Sequence, residues 1–274
     1  MNSTTNTIVP GAVDIGNTRI KILAGGKYFS AGLHEPWQEP LHKFLWSFPG
    51  QTVVLGVSSV NPEASAALQT ELRKRSNIKA QPLQPLLEEQ QFVDVSGIQG
   101  IGADRVLGMI GALHYDPSLI RPIITVDCGT AITINAVNVH RRCVGGAILP
   151  GLRTQFRALH EYTQLLPLLE PAFDETVAGA TTAQAMSVGI IHGAAGAVRH
   201  IIERIVGQEF GMDTSNTSVQ VMLAGGDAKI LLKALAPWHI EPVFEPNLVL
   251  HGIAAVMAQS FAQFYSTVGA RSLG

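Results

Sequence analysis

The sequence predicts an α/β protein that contains two similar domains, and three observations support this prediction. An apolar strand ends in Asp14-Ile15-Gly16 and leads through a tight turn into a second strand, and the same arrangement recurs at Asp127-Cys128-Gly129. Each copy lies in the same predicted order of strands and helices. Hydrophobic residues make up 46% of the 274 residues and charged residues only 15%, so the chain can bury a sizeable core.

The first predicted domain covers residues 1–117. Gly16 and Asn17 tolerate positive φ angles and therefore suit the turn between the first two strands. The continuous apolar run at 52–58 is typical of a strand that is covered on both faces. We interpret residues 77–101 as a loop with one short strand. The predicted elements are three strands within 11–31, a strand at 52–58, and helices at 37–48, 62–75 and 102–114.

The second predicted domain covers residues 118–274 and repeats the pattern after a polar linker with two prolines. Thr181-Thr182 is predicted to begin a long helix. Small residues recur on this helix at Ala185, Gly189 and Gly193, a spacing that allows close helix packing. The predicted elements are strands at 122–128, 130–139, 143–149 and 218–223, and helices at 150–160, 181–206, 229–235 and 247–264.

Bulk properties narrow the possible functions. The net charge of −2 gives no electrostatic reason to expect a nucleic-acid partner. The two cysteines, Cys128 and Cys143, do not make a disulfide framework, and no metal-ligand spacing is present. Residues 1–10 lack the features of a signal peptide, and no run reaches about 18 consecutive apolar residues. We therefore expect a cytoplasmic protein that is not embedded in a membrane.

Several residues are candidates for chemistry, each with a simpler explanation. Backbone N–H groups of a turn such as Gly16-Asn17 can hold a phosphate, and Asp14 beside it implies a cation or a bound hydroxyl. Gly225-Gly226 before a helix suits close approach to a nucleotide, although such turns are common. Asp104, in the first turn of a helix, complements the helix dipole even without a catalytic role. Asn61 suits either a ligand-facing loop or a helix N-cap.

Four motifs, in their order and spacing, resemble those of type III pantothenate kinases. They are Asp14–Thr18 with Lys21, Gly102–Arg105, Asp127–Ala131 with Thr133, and Gly145–Gly151. Weaker matches at Thr181-Thr182 and Ala224–Ala228 extend the resemblance over nearly the whole chain. The resemblance implies two duplicated actin-like (ribonuclease H-like) domains with a cleft between them. It extends to the Bvg accessory factor type of regulator.

The resemblance implies ATP-dependent phosphorylation of pantothenate to 4′-phosphopantothenate, the first step of coenzyme A biosynthesis. It implies a homodimer that packs through residues of about 151–200, with the neighbour helping to wall the pantothenate pocket. The catalytic base would be Asp104, and magnesium and a monovalent cation (K⁺ or NH₄⁺) would face Asp14 and Asp127. The implied ATP-binding residues are Asp14, Gly16, Asn17, Thr18, Lys21, Gly129 and Thr130, and those for pantothenate are Gly102, Ala103, Arg105 and Thr182.

The sequence departs from the family pattern in two places. Asn135 stands where the family usually has an aspartate, and the segment 95–101 lacks the family's usual tyrosine and proline before Gly102. Two alternatives therefore stay open. One is a non-catalytic homologue that acts as a transcription-regulating accessory protein, and the other is a kinase of the same fold with another small acceptor. Intact Asp14, Asp104 and Asp127 favour the enzyme.

Overall fold

The computed structural model describes residues 8–118, 120–213 and 218–271, with side chains in the last helix described as far as residue 262. The chain divides into two compact units. Unit one comprises the described residues up to Phe92, together with Gly102–Tyr115 and the chain from Val249 onward. Unit two comprises Val93–Ile101 and the described part of Asp116–Leu248.

Within the described residues, each unit contains one five-stranded sheet, and the two sheets have the same topology. In each, the first strand is central, the next two strands add antiparallel on one side, and the last two add parallel on the other. The duplicated α/β fold is thus confirmed. Unit one has β1 (Ile8–Ile15), β2 (Arg19–Ala24), β3 (Lys27–Gly32), β4 (Thr52–Ser59) and β5 (Ile78–Pro82), in the order β3-β2-β1-β4-β5. Unit two has β6 (Ile123–Cys128), β7 (Ala131–Val137), β8 (Cys143–Pro150), β9 (Gln220–Ala224) and β10 (Val243–Phe244), in the order β10-β9-β6-β7-β8.

Two helices begin at capping residues that stand in the sequence. Asn61 accepts a hydrogen bond from the backbone N–H of Ala64 at 3.0 Å, so its role as an N-cap is confirmed. Thr181 forms a capping box with Gln184. The helices are α1 (Gln38–Leu45), α2 (Pro62–Arg73), α3 (Gln84–Glu88), α4 (Ala103–Tyr115), α5 (Leu152–Tyr162), α6 (Thr182–Ser187), α7 (Gly193–Gln208), α8 (Ala228–Leu235) and α9 (Leu248–Arg271), with a π-helical turn at Val188–His192 between α6 and α7.

The core of unit one lies on both faces of its sheet. One face packs against α1 and α2 through fully buried side chains such as Val13, Leu41 and Leu68. On the other face, Gly56 of β4 leaves room for Met257 of α9. This packing brings the last helix to the first sheet.

The domain boundary expected at residue 117/118 differs from the observed division in two segments. Helix α9 groups with unit one, because Gly252 lets it lie directly against the backbone of Leu107 in α4. Residues 93–101 group with unit two, because Asp94 exchanges backbone hydrogen bonds with Arg141 and Cys143, both at 2.8 Å. Both differences depend on contacts between residues distant in the sequence.

The core of unit two lies between its sheet and helices α5 to α8. Val126, Phe156 and Val198 are fully buried in this cluster. By length and composition alone, the continuous helical run Thr182–Gln208 would suffice to cross a membrane, but a core helix passes the same test. Part of this run, including Ile191, Val198 and Ile202, is buried in the core of unit two.

The segment interpreted as loop at 77–101 contains more structure than predicted. It holds the expected short strand, β5, and also the helix α3, which the sequence analysis missed. The edge strand β5 is buried at Ile78 alone, so its sequence carries little apolar signal.

Replacing Gly252 by alanine should lower the free energy of unfolding by about 1–3 kcal/mol, because the new methyl group would overlap the Leu107 backbone. Urea denaturation measures this change. Gly207→Ala is the matched control, because Gly207 is an exposed helical residue and no atom lies within 4 Å of a Cβ placed on it. It should leave stability unchanged or raise it by up to about 1 kcal/mol. Equal effects of the two substitutions would contradict the close packing of α9 on α4.

Candidate active site

The first Asp-x-Gly turn lies at the end of β1 in unit one. Asp14 is paired with Lys21 across the antiparallel β1–β2 ladder and stands beside Ser58 of β4. Side chains directly opposite each other have Cβ atoms about 4.5–5.5 Å apart, so a carboxylate and an ammonium group are neighbours here. The backbone N–H of Gly16 donates to the carbonyl of Arg19 at 3.0 Å and closes the turn.

The tip of this turn is accessible to a ligand. Asn17 and Thr18 are exposed. A Cβ at Gly16 would meet only the carbonyl oxygen of Arg19, at 3.7 Å. The turn therefore has the open backbone that phosphate binding requires, with Asp14 and Lys21 at its base.

The predicted base, Asp104, lies in the first turn of α4 in unit one. One of its carboxylate oxygens accepts a hydrogen bond from the backbone N–H of Arg105 at 2.9 Å. A Cβ on Gly102 would come within 2.5 Å of the same oxygen, so glycine is needed for this side-chain position. Asp104 and Arg105 are both half-buried. The carboxylate is thus held in one orientation and keeps partial access to solvent.

A cavity of about 510 Å³ lies in unit one, and its lining includes one neighbour of each of these two regions. Ser58, the strand neighbour of Asp14, lines it, as does Ala103, the residue before Asp104. Helices α2 and α3 and strand β5 form the rest of its wall. Space for a small molecule therefore exists next to the residue that precedes the predicted base.

The second Asp-x-Gly turn lies at the end of β6 in unit two. Asp127 is opposite Thr133 of β7 and beside Ala224 of β9. The backbone N–H of Gly129 donates to the carbonyl of Ala131 at 3.0 Å, which closes a turn shorter by one residue than its counterpart in unit one. Thr130, at the tip, is exposed. The two turns share a design in which a strand-end carboxylate stands beside an open glycine backbone.

The start of α5 supports this second turn. The carbonyl of Thr130 accepts hydrogen bonds from the Gly151 backbone N–H at 2.9 Å and from the Thr154 hydroxyl at 2.6 Å. Gly151 packs directly on the backbone of Gly129 and Thr130, where a side chain would not fit. This contact explains why the predicted Gly145–Gly151 motif ends in glycine.

An ionic group next to this turn was not predicted from the sequence. Arg153 of α5 places its Nε 3.3 Å from a carboxylate oxygen of Asp227 and also forms an ion pair with Glu170. The backbone N–H of Asp227 donates to the carbonyl of Cys128 at 3.1 Å, so the start of α8 is joined to the turn. The Gly-Gly-Asp sequence was a signal for Asp227, whereas nothing local marks its pairing with Arg153.

Burial sets the electrostatics of this region. Burial raises the pKa of the Asp227 carboxyl above its usual range, and the neighbouring Arg153 opposes that rise. Burial, helped by the negative charges of Asp227 and Asp127, raises the pKa of the Cys128 thiol to about 12. Cys128 is therefore protonated at neutral pH and does not act as a nucleophile.

The two departures from the family pattern have structural explanations in unit two. The Asn135 amide, which is buried, donates a hydrogen bond to the Thr125 hydroxyl at 3.2 Å, and an ionised aspartate could not donate it. The segment 95–101 follows Asp94, whose backbone is hydrogen-bonded to the β7–β8 hairpin. An oxygen of the Asp94 carboxylate also lies 4.0 Å from the Nε of Arg142. The approach to Gly102 is therefore anchored without the family's tyrosine.

Thr182, a predicted pantothenate-binding residue, lies in unit two beside an apolar cavity of about 680 Å³. The lining of this cavity comes from α5, from Leu166 and from the helical run that begins at Thr182. Exposed apolar side chains are concentrated in the same part of the chain. They are Ile148, Tyr162, Leu165, Leu168 and Val177.

The predicted site residues are divided between the two units. Unit one holds Asp14, Lys21 and Asp104 with their neighbours, and unit two holds Asp127 and Thr182 with theirs. Among the described residues, no group of three or more His, Cys, Asp or Glu side chains is arranged to hold a metal ion.

Comparison with known proteins identifies the family. The family model for type III pantothenate kinase matches residues 12–204. The chain belongs to the type III pantothenate kinase family. This confirms the resemblance predicted from the motifs.

Relatives within the family match over most of their length. A type III pantothenate kinase from Dichelobacter nodosus (strain VCS1703A) is 32% identical over 253 residues, which cover 89% of this chain and 95% of the relative. A type III pantothenate kinase from Legionella pneumophila (strain Corby) is 32% identical over 205 residues, which cover 74% of this chain and 76% of the relative.

A solved structure shares the fold. The crystal structure of a conserved putative Baf family transcriptional activator from Campylobacter jejuni has a TM-score of 0.56 and 21% sequence identity. The match covers 91% of this chain and 98% of that chain. At this identity the likeness supports the shared fold of this kinase family member and nothing further.

Gly225→Ala should lower the free energy of unfolding by about 1–3 kcal/mol. Its φ of 98° is unfavourable for alanine, and a Cβ there would lie 2.5 Å from an Asp127 carboxylate oxygen. Chemical denaturation measures the loss. The adjacent Gly226→Ala is the control, because a Cβ at that position meets nothing within 4 Å, and it should change stability by no more than about 0.5 kcal/mol. A Gly225 variant as stable as the Gly226 variant would contradict this geometry.

Proposed function

We propose that this protein transfers a phosphoryl group from ATP to the primary hydroxyl of pantothenate and so performs the first step of coenzyme A biosynthesis. Membership of the type III pantothenate kinase family carries this proposal. An Asp-x-Gly turn at the same topological position in each sheet supports it. An ADP-release assay with pantothenate and a panel of similar hydroxy acids tests both the reaction and the acceptor.

The residues fit the demands of phosphoryl transfer, in which a protein mainly positions the reactants and stabilises charge. The open backbone at Gly16–Thr18, with Lys21, would hold terminal phosphates of ATP, and Gly129-Thr130 would contact the nucleotide from unit two. Asp14 and Asp127 supply the hard oxygen ligands that magnesium prefers, and few protein ligands are needed when phosphates complete the shell. We assign a monovalent cation, K⁺ or NH₄⁺, to the same pair of carboxylates.

Asp104 is the proposed general base. Its carboxylate is held by the Arg105 backbone N–H, and the preceding residue, Ala103, lines a cavity large enough for a small acid. The Arg105 guanidinium matches a carboxylate in geometry and is proposed to bind that of pantothenate, with Gly102 and Ala103 next to it. Thr182 is proposed as a further pantothenate contact.

Two alternatives are tested by the same assay. ADP release with another hydroxy acid but not with pantothenate would indicate a different acceptor. Absence of ADP release with every acceptor would favour a non-catalytic accessory protein, the role implied by the resemblance to the Bvg accessory factor type of regulator. The enzyme is favoured over the accessory protein because a kinase has a use for the carboxylates of Asp14, Asp104 and Asp127, whereas a non-catalytic protein has none.

We also propose a cytoplasmic homodimer that uses unit two as its interface. A monomer would leave in water both the exposed apolar side chains at 148–177 and the apolar cavity that Thr182 helps to line. A closed two-fold arrangement is the commonest one for soluble oligomers. The neighbouring subunit would then help to enclose the pantothenate pocket.

Asp104→Asn should lower turnover by roughly 10²- to 10⁴-fold, the usual contribution of a general base, while circular dichroism shows a folded protein. Glu63→Gln is the matched control, because Glu63 is also an acidic residue in the first turn of a helix. It should retain parental turnover. Turnover of the Asp104 variant within a few-fold of the parent would remove Asp104 from the mechanism.

Asp14→Asn and Asp127→Asn should each remain folded but weaken binding of the magnesium–ATP complex, because each would lose a charged oxygen ligand for a cation. Calorimetric titration measures the affinity. Activity of the parent should require magnesium and rise when potassium or ammonium replaces sodium. Equal rates in sodium, or without any monovalent salt, would be evidence against the assigned cation.

Sedimentation should show about twice the 29.2 kDa chain mass at micromolar concentration. Leu165→Arg should shift the protein towards monomer and lower activity per chain, because it places a charge on the proposed interface. Ile120→Arg provides the control, since Ile120 is similarly exposed, 87% against 91%, but lies outside that surface. A fully active parental monomer would disprove the interface.

A further inference from the structure

Arg153 projects from the helix that supports the second Asp-x-Gly turn. It lies between Leu152, which is fully buried in the core of unit two, and Thr154, whose hydroxyl bonds to the carbonyl of Thr130. The backbone carrying Arg153 is therefore fixed on both sides. The side chain of Arg153 is more than half exposed.

Asp227 orients this guanidinium from the protein side. Its carboxylate is nearly fully buried, with a side chain only 6% exposed, and it lies 3.3 Å from the Arg153 Nε. The backbone of Asp227 is bonded to Cys128 in the turn itself. A buried carboxylate paired with an arginine is costly to separate, because the remaining charge would stay without compensation. This pair therefore keeps the Arg153 head group close to the turn.

Glu170 contacts the solvent side of the same guanidinium. Its carboxylate pairs with Arg153 Nη1, and its side chain is 77% exposed. Exposed ion pairs of this kind contribute little stability, so an incoming anion can displace one. Phosphate and carboxylate oxygens match the guanidinium fork in the same way. Glu170 thus occupies a position on Arg153 that a phosphate oxygen could take.

We propose that Arg153 binds phosphate oxygens of the nucleotide at the second Asp-x-Gly turn, and that Glu170 is the carboxylate which those oxygens displace. Asp227 is a positioning residue in this arrangement, since it acts through Arg153. The inference deepens the proposed kinase function and rests on it for the identity of the nucleotide. Arg153 adds a cation to the groups of unit two that are assigned to the nucleotide.

Calorimetric titration of the full-length protein with ATP, ADP and adenosine tests the phosphate contact. Arg153→Met should weaken ATP and ADP binding by about 10- to 100-fold, as expected for loss of a hydrogen bond to a charged group, and leave adenosine binding unchanged. Arg153→Lys keeps the positive charge but loses the two-pronged guanidinium geometry, so its ATP affinity should lie between those of the parent and of Arg153→Met. Arg204→Met, at an exposed arginine on α7 that donates a hydrogen bond to Gln208 one turn further on, is the control and should match the parent.

Glu170→Gln tests the displacement. Removal of the competing charge should tighten ATP binding by about two- to fivefold and leave adenosine binding unchanged. In the Arg153→Met background the same substitution should have no effect, because Glu170 then has no guanidinium to occupy. Asp227→Asn should weaken ATP binding less than Arg153→Met does.

The outcomes separate this inference from the proposed reaction. Unchanged ATP affinity in Arg153→Met would overturn the phosphate contact even if the parent phosphorylates pantothenate. Equal losses for ATP and adenosine would also overturn it, because they would indicate a structural effect. Weaker or unchanged ATP binding in Glu170→Gln would overturn the displacement. A parent that binds ATP through Arg153 but phosphorylates no acceptor would leave the inference standing and refute the proposed function.

Discussion

The register between the first two strands of each sheet is the constraint on which the candidate site depends. In unit one it places Asp14 opposite Lys21, and in unit two it places Asp127 opposite Thr133. A slip by one residue would turn each acidic side chain to the opposite face of its sheet. Because the core face carries a continuous apolar cluster in both units, such a slip would expose that cluster and bury the carboxylate. Core packing and site geometry are thus determined by the same pairing.

Unit two adds a second constraint, the buried charge of Asp227. Desolvation disfavours the ionised carboxylate, and Arg153 compensates for this cost from the first turn of α5. The same α5 turn supports the carbonyl of Thr130. The glycine turn, the start of α5 and the start of α8 therefore form one connected group. Residue 225 of this group must be glycine, because its φ angle is positive and a side chain there would overlap Cys128 and Asp127.

Much of the fold could be predicted because its signals are local or repeat along the chain. The duplicated order of elements followed from apolar strands, glycine turns and capping residues such as Asn61. Elements with weak signals were missed. Strand β10 has two residues, and α3 is one short helical turn with no buried side chain. The long helix expected from Thr181 is present but contains a π-helical turn, which the spacing of apolar residues along the sequence does not predict.

The sequence by itself determined the two Asp-x-Gly turns, the place of Asp104 at a helix start, and the family, because each depends on residues adjacent in the chain or on their order. Only the tertiary structure decided that α9 belongs to unit one and that residues 93–101 belong to unit two. It alone paired Arg153 with Asp227, and Asn135 with Thr125. These contacts join residues from different elements, and strand register and helix packing bring such partners together only when the whole unit has folded.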